Sequence, residues 1–418
     1  ADAVWQAGEP ESAAGGQRRD LEWTGRYRQT IEGFGGCFNE LGWQALRAAG
    51  EERDAVLTAL FDPEADGLRF GINRVPIGAT DYAEDWYSCN EHDGDYAMER
   101  FSIERDRRDL IPYVLAALGK HPGMRLFASP WSPPTWMKRP KAYSAGSLRW
   151  TDDNLKAYAL YLLKFVQAYA AEGILIDQLH YQNEPCTLHR FPSCEWTGAQ
   201  LRDFVRDYLG PLFRRHSPAT ELWLGTLNSE RYEDYAAVVL NDAEARSRLS
   251  GVGYQWAGKG AIQRTHAAWP DLRLMQTENE CGDGDNTWEY AHYVFGLLWH
   301  YLNNGCESYI YWNMVLPSGG QCTWGGRQNS LICVDPDSGK TRGYMIVERK
   351  TLVDSMFHIR PASYEQWQSL GTWLRAMSEC FCTMKLAKKA SSSAGGIPVQ
   401  VECPKEEGRI CNPLLHAD

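Results

Sequence analysis

The sequence predicts an α/β fold, a (β/α)8 TIM barrel, and three observations support this prediction. Eight short apolar runs of strand length alternate with helical patterns along the chain, and that number and alternation favour a closed parallel barrel over an open sheet. No Gly-x-Gly-x-x-Gly motif follows an early run, which argues against a dinucleotide-binding fold. Glu184 and Glu278 each follow an apolar run, and strand ends are where a barrel builds its site.

The elements are taken in chain order from the spacing of apolar residues. The predicted strands are residues 31–36, 68–75, 124–129, 174–180, 222–227, 252–256, 272–277 and 308–313. Apolar residues recurring at intervals of three and four predict helices between them, among them residues 103–118, 153–171 and 287–303. Glu184 therefore follows the fourth strand and Glu278 the seventh.

Composition changes at both ends of the chain. Residues 1–23 are polar and rich in Gly and Ala, and are interpreted as a lead-in with room for one strand. Residues 24–339 form the predicted catalytic barrel. Residues 340–418 have weak periodicity and include the linker-like stretch 388–396.

Charge and hydropathy exclude several classes of partner. The net charge of −11 argues against nucleic acid or an anionic membrane, because both select basic surfaces. No apolar run reaches the roughly 18 residues of a membrane span, and no signal peptide is visible. The compartment, secreted or cytoplasmic, and the oligomeric state are left open.

The sequence predicts neither a metal nor a cofactor. Twelve cysteines are present without the paired Cys-x-x-Cys spacing of a zinc ribbon. Cys89, Cys194, Cys322 and Cys333 lie in predicted loops and are candidates for disulfides of unknown connectivity. The Asp-Gly-Asp segments 93–95 and 283–285 lack the spacing of a calcium-binding EF-hand and are interpreted as polar turns.

The number of tryptophans suggests a carbohydrate ligand. Seventeen Trp in this chain is high, and several lie next to the predicted strand ends. The apolar faces of sugar rings pack well on aromatic rings. Most of these tryptophans are nevertheless expected in the core, because aromatic side chains bury a large apolar area.

Two carboxyl groups facing one bond suit glycoside hydrolysis. One carboxylic acid protonates the leaving oxygen, and in retaining enzymes a carboxylate about 5 to 5.5 Å away attacks the sugar. The hypothesis is therefore a retaining glycosidase with Glu184 as acid/base and Glu278 as nucleophile. Asn183 is placed to bond a sugar hydroxyl. Glu280 competes with Glu278, since both have the same pleat parity, and Glu278 is preferred because it lies nearer the strand end.

With these residues in place, the chain resembles glycoside hydrolase family 30, which includes lysosomal glucosylceramidase and microbial β-glucanases and β-xylosidases. The resemblance runs from about Ile31 to Asp335. The shared segments occur in order: Gly33–Gly36, Arg74-Val75-Pro76 through Asp81, Ala128–Lys138, Asn183-Glu184-Pro185, Thr277-Glu278 and Trp312-Asn313.

The resemblance implies retaining chemistry without a metal, with Glu278 rather than Glu280 as nucleophile. It also implies a glycone-binding set: Asp81, Trp131, Asn183, Trp312 and Asn329, with Trp256 or its neighbour Tyr254 below the nucleophile. Members of this family carry a β-sandwich beside the barrel, so a partial or degenerate β-rich side domain is expected from the termini, with residues 340–418 as an incomplete or divergent part of it.

The expected activity is hydrolysis of β-glucosides or short β-glucans. Endo-β-1,6-glucanase, β-xylosidase and β-fucosidase activities are alternatives within the family, and a glucosylceramidase-like activity would belong to sphingolipid metabolism. A carbohydrate-binding barrel without catalysis is the alternative from another class.

Overall fold

Eight parallel strands close into a barrel in the computed structural model, which describes residues 29–65 and 67–343. The strands are Gly33–Cys37 (β1), Ile72–Ile77 (β2), Arg125–Pro130 (β3), Gln178–His180 (β4), Glu221–Leu227 (β5), Gly251–Gln255 (β6), Arg273–Glu278 (β7) and Cys306–Asn313 (β8). Their order around the barrel follows the chain, and β1 pairs with β8 to complete the ring. The predicted (β/α)8 barrel is confirmed.

Helices cover the outside of the barrel. They are Glu40–Ala48 (α1), Arg53–Phe61 (α2), Leu110–Lys120 (α3), Asp152–Ala171 (α4), Gly198–Phe204 (α5), Gly210–His216 (α6), Ala236–Leu240 (α7), Ala243–Arg246 (α8), Lys259–Ala268 (α9) and Trp288–Asn303 (α10). The layer between helices and strands is apolar, and α4 alone buries Leu162 and Phe165 completely in it. Among the described residues, no helix combines the length and hydrophobicity needed to span a membrane.

Three elements begin four or more residues later than the sequence predicts. β2 starts at Ile72 rather than 68, because the Leu68 and Phe70 N–H groups donate to the carbonyls of Ala59 (2.7 Å) and Leu60 (2.8 Å) in α2. β4 starts at Gln178 rather than 174, because the Asp177 carboxylate accepts the Leu126 amide hydrogen of β3 (2.8 Å) and Leu175 is 71% exposed. α3 starts at Leu110 rather than 103. The buried Asp106 accepts hydrogen bonds from two tyrosine hydroxyls instead, those of Tyr87 (2.7 Å) and Tyr169 (2.8 Å).

An ionic network lies at the end of the barrel where the strands begin. The Arg273 guanidinium contacts the carboxylates of Glu32 (2.6 Å), Glu221 (2.9 Å) and Glu307 (3.0 Å). Arg125 contacts Glu32 as well, at 2.7 Å. These residues belong to or directly precede β1, β3, β5, β7 and β8, so the network ties together this end of the barrel, which in this fold serves stability rather than catalysis.

A small sheet follows the barrel. Val315–Pro317 (β9) runs parallel to Ile332–Val334 (β10), and Thr341–Gly343 (β11) is antiparallel to β10. Residues 1–23 and 344–418 lie outside the described part, and so does the expected side domain that depends on them. Cys89, Cys194 and Cys322 are buried and form no disulfide among the described residues, and Cys333 lies in β10 beside the Ser330 hydroxyl.

The seam between β1 and β2 has no room for a side chain at Gly35. A Cβ there would lie 1.6 Å from the Ile72 carbonyl oxygen, which is backbone and has no alternative position. Gly35→Ala is expected to lower the free energy of unfolding by about 3 kcal/mol or more, at the upper end of the usual cost of overpacking.

Urea denaturation measures this effect, and Gly119→Ala in α3 is the matched control. No atom lies within 4 Å of a Cβ at Gly119. Alanine is better than glycine in a helix by about 1 kcal/mol, so that variant should be as stable as the wild type or more stable. Equal stability of the two variants would show that the seam can open to admit a methyl group.

Candidate active site

The carboxyl ends of the strands hold a connected set of polar side chains. Glu184 follows β4 by a short loop, and Glu278 is the last residue of β7. Both are nearly buried, with side chains 10% and 11% exposed, so each is within reach of a ligand entering from solvent. The structure places both acidic residues at this end of the barrel, close enough for Glu184 to influence Glu278 electrostatically.

Arg74 of β2 lies at the centre of this set. Its side chain is completely buried, and one terminal nitrogen forms a short ion pair with Glu278 Oε2. The other terminal nitrogen donates to Asn183 Oδ1 (2.5 Å), and Nε donates to Ser129 Oγ of β3 (2.9 Å). The guanidinium also lies 4.3 Å from the centre of the Trp131 ring, as a cation–π pair does. One side chain therefore links β2, β3 and β7 with the loop after β4.

Gln255 of β6 gives Glu278 a second donor. Its amide nitrogen donates to Glu278 Oε2 (2.8 Å) and to Asn183 Oδ1 (2.9 Å). The Thr226 hydroxyl of β5 donates to the same Asn183 oxygen (2.9 Å). With its oxygen fully occupied, Asn183 forms no hydrogen bond through Nδ2 within the described chain, so that group is available to a ligand.

Asp81 presents a carboxylate oxygen that has no partner. Its Oδ2 accepts from Gln328 Nε2 (3.0 Å), while the buried Oδ1 has no hydrogen bond among the described residues. Gln328 is itself fixed, because its oxygen accepts from Trp312 Nε1 (2.7 Å) and Asn313 Nδ2 (2.9 Å). A buried polar atom without a partner costs free energy, so Oδ1 is well placed to accept a hydrogen bond from a ligand.

Trp131 and Trp312 form the aromatic part of the site. Their ring centroids are 5.4 Å apart, and Tyr82 packs edge-on against Trp312 at 6.5 Å. Both indoles are almost completely buried. Together with Arg74 they form one wall, which brings the predicted Trp131 and Trp312 together with the carboxylates.

Glu184 is held in a conformation that residues with a side chain rarely adopt. Its φ angle is +45°, in the left-handed region. Two backbone hydrogen bonds hold it there: its N–H donates to the Thr226 carbonyl (3.0 Å), and its carbonyl accepts from Thr187 N–H (3.2 Å). Such outliers cluster at functional sites, where the surrounding structure compensates for the strain.

The three carboxyl groups influence one another electrostatically. Burial raises the pKa of Glu278 to about 8; the Arg74 cation opposes this rise, while Glu184 and Asp81 add to it. Burial also raises the pKa of Asp81 to about 7, again with a contribution from Glu184. A site with these properties retains a proton near neutral pH, as an acid catalyst requires.

Three other predicted site residues make their contacts outside the hydrogen-bond network of Arg74. The Tyr254 side chain lies on the helix-facing side of β6, where its hydroxyl pairs with Thr265 of α9 at 2.6 Å. Trp256 begins a turn after β6 and is half-buried beside Lys259. Asn329 is buried, and its oxygen accepts from the Gly284 N–H (2.8 Å) in the loop after β7, while its Nδ2 has no partner among the described residues.

Glu280 does not share the contacts of Glu278. Its carboxylate faces Tyr293 of α10, and its backbone carbonyl accepts from the Tyr290 hydroxyl. Of the two competing acidic residues, Glu278 alone contacts Arg74 and Gln255.

Sequence reasoning missed Arg74, Gln255, Gln328 and His189 as site residues. Arg74 belongs to a quoted family segment, and its charge inside an apolar strand is the signal that could have identified it. Gln255 lies between the two predicted aromatics on the opposite side of the pleat. His189 and Gln328 lie in loops, where spacing carries no information on contacts.

Most of the chain matches a known protein family. The family model described as "Glycosyl hydrolase family 30 TIM-barrel domain" matches residues 31–337. A protein named putative glucosylceramidase 1 from Caenorhabditis elegans is 30% identical over 319 residues, covering 71% of this chain and 60% of that protein. Mouse lysosomal acid glucosylceramidase is 27% identical over 323 residues, 70% of this chain and 61% of its own length.

A solved structure shows the same relationship. The endo-β1,6-glucanase BT3312 superposes with a TM-score of 0.69 at 25% identity, covering 75% of this chain and 73% of that one. The chain spans about three-fifths of the length of the curated relatives it matches.

Loss of the Arg74 cation is expected to affect both stability and activity. Arg74→Met leaves the Glu278 carboxylate buried without its ion pair, and breaking such a pair typically costs about 3 to 5 kcal/mol. Urea denaturation measures the loss. Arg231→Met is the control, because the Arg231–Asp234 pair is more than half exposed on both sides and should contribute at most about 1 kcal/mol. A similar small loss for both variants would contradict the central role of Arg74.

The left-handed backbone at Glu184 predicts an order of stability between two variants at this position. Glu184→Gly should be more stable than Glu184→Ala by about 1 kcal/mol, because glycine adopts positive φ without steric cost and alanine does not. Thermal unfolding of the two purified variants measures the difference. A Glu184→Ala variant as stable as Glu184→Gly would mean that the loop relaxes to negative φ.

Proposed function

The chain belongs to glycosyl hydrolase family 30, and from this premise we propose that it is a retaining β-glycosidase with Glu184 as acid/base and Glu278 as nucleophile. The observation that supports the proposal most strongly is the contact of Glu278 with Arg74 and Gln255 at a site that Glu184 shares electrostatically.

The reaction takes two steps. In the first, Glu184 gives its proton to the glycosidic oxygen while a Glu278 oxygen bonds to the anomeric carbon, and the leaving group departs as an alcohol. In the second, the Glu184 carboxylate takes a proton from water, the water oxygen bonds to the anomeric carbon, and Glu278 is released. Two inversions at one carbon retain its configuration.

The donors around each carboxyl group support this division of roles. Arg74 and Gln255 both donate to Glu278 Oε2, and hydrogen bonds to a carboxylate favour its ionised form. The Arg74 cation therefore opposes the effect of burial on Glu278, and we assign the charge needed for attack to Glu278 and the transferred proton to Glu184.

The groups left without partners suggest how a sugar binds. Asp81 Oδ1 and Asn183 Nδ2 offer an acceptor and a donor beside the carboxylates, and Trp131 and Trp312 offer apolar surface. The amide nitrogen of Asn329 is a further donor. Since Asp81 and both tryptophans are buried, the site is proposed to enclose one terminal sugar, as an exo-acting β-glucosidase does.

The names of the relatives suggest two kinds of β-glucoside as the substrate. Those named glucosylceramidase suggest a lipid-linked β-glucoside, and thus a role in sphingolipid metabolism, while the one named endo-β1,6-glucanase suggests a β-1,6-glucan. β-Xylosidase and β-fucosidase activities are further alternatives. Assays on glucosylceramide, β-1,6-glucan and aryl β-glucosides, xylosides and fucosides discriminate among them.

Covalent trapping tests the nucleophile. A 2-deoxy-2-fluoro-β-glucoside with an activated leaving group should inactivate the enzyme, and mass spectrometry should find the fluorosugar on the peptide that contains Glu278. Glu280→Gln, the matched control, should be trapped as fast as the wild type. A label on Glu280, or inactivation without a label, would contradict the assignment of the nucleophile.

Leaving-group dependence tests the acid. Glu184→Gln should reduce kcat/KM at least a hundredfold on alkyl β-glucosides and far less on dinitrophenyl β-glucosides, because general acid catalysis contributes about 10²- to 10⁴-fold and good leaving groups need little protonation. Steady-state kinetics on both substrates measure the ratio. Equal losses on the two would argue that Glu184 does not act as the acid.

A further inference from the structure

A histidine lies directly against the proposed acid/base. His189 follows Glu184 by five residues in the loop after β4, and its Nε2 is 2.5 Å from Glu184 Oε2, which is an ion-pair distance although the ring N–H does not point along a hydrogen bond to that oxygen. Its side chain is 22% exposed, against 10% for Glu184. The reaction described above gives this imidazole no part.

Stacking fixes the orientation of the imidazole. The His189 ring lies parallel to the Phe191 ring, with centroids 4.5 Å apart and planes 7° apart. Phe191 in turn packs on Trp324 at 5.8 Å. The His189 N–H donates to Ser193 Oγ (3.2 Å), and the Ser193 carbonyl accepts from the buried Lys138 ammonium (2.6 Å). The loop therefore holds the ring in place before a substrate binds.

The charges that face His189 are both negative. They are the carboxylates of Glu184, in direct contact, and Asp81, at longer range. Phe191 and Trp324 on its other side carry no charge, and the Lys138 cation is bound to three oxygens at the base of the loop. Burial by itself would lower the pKa of His189, but Glu184 and then Asp81 outweigh burial, and its pKa is raised.

We propose that His189 is a positioning residue that pairs with Glu184 and allows it to act first as acid and then as base over a wider pH range than an unpaired glutamate could. The inference rests on the proposed function, since it assigns a partner to the acid/base of that reaction. Its support is the short contact together with the stacked, fixed ring.

The pair gains and loses one proton in each turnover. In the first step the proton leaves Glu184 for the glycosidic oxygen, which leaves the Glu184 carboxylate beside a neutral imidazole. In the second step that carboxylate takes a proton from the attacking water, and the pair again holds one proton. His189 does not touch the sugar and acts only through Glu184.

The sign of the pH effect follows for each step. With a carboxylate at 184 the imidazole keeps its proton to higher pH, so the pair retains a proton to higher pH and the alkaline limb of the first step lies higher. At acidic pH the imidazole takes up a proton from solvent and becomes a cation in contact with the base, so the acidic limb of the second step is expected to lie lower than it would without His189.

His189→Gln should therefore narrow the pH range of activity from both the acidic and the alkaline side. We expect the alkaline limb of kcat/KM for phenyl β-glucoside to fall by about one pH unit, and the acidic limb of kcat for 2,4-dinitrophenyl β-glucoside to rise by about one unit, the lower end of the usual effect of an opposite charge. KM at the optimum should stay within twofold. Arg190→Gln is the control: it removes a neighbouring exposed cation and should leave both limbs in place.

Limbs of His189→Gln that coincide with those of the wild type would overturn the inference. If the variant does not fold, NMR titration of His189 in Glu184→Gln decides instead: its pKa should fall relative to the wild type, and an unchanged value overturns the pairing. A wild type that hydrolyses no β-glycoside would refute the proposed function itself, whereas hydrolysis with trapping at Glu278 and unchanged limbs would refute only the role of His189.

Discussion

A guanidinium without access to solvent organises the carboxyl end of the barrel. Removing a cation from water costs several kcal/mol unless charge and hydrogen bonds compensate, and Arg74 obtains both from Glu278, Asn183 and Ser129. Each of these partners comes from a different part of the sheet. The requirement to satisfy one buried cation therefore fixes the position of Glu278 relative to Asn183, the residue before Glu184.

The surrounding polar groups depend on the same arrangement. Asn183 Oδ1 accepts from Arg74, Thr226 and Gln255 together, so its amide has a single orientation. That orientation leaves Nδ2 for a ligand. A site prepared in this way needs little rearrangement when a substrate binds, and preorganised donors are worth more in a buried site than in water.

The sequence was sufficient to predict the barrel and the approximate positions of its strands, because apolar runs, helical spacing and turn residues are local signals. The starts of β2 and β4 were wrong, and at β4 the reason is that the Asp177 side chain replaces part of the strand ladder. In the site, Glu184 and Glu278 could be selected from the sequence because carboxylates at strand ends are a local signal as well. Gln255 was not, since its role depends on contacts with residues distant in sequence. Alternation does show that Tyr254 and Gln255 face opposite ways, but it does not show which of them faces the interior.

The ring closure between β1 and β8 has a consequence for synthesis of the protein. β1 emerges from the ribosome first, yet one of its two edges pairs with β8, the last of the eight strands to be made. The ion pairs of the Glu32 carboxylate, which precedes β1, can also form only after Arg125 and Arg273 have been synthesised. Throughout elongation that edge offers free backbone donors and acceptors to any other nascent strand. A folding helper that shields β1 until Asn313 has left the exit tunnel would therefore raise the yield of the closed barrel.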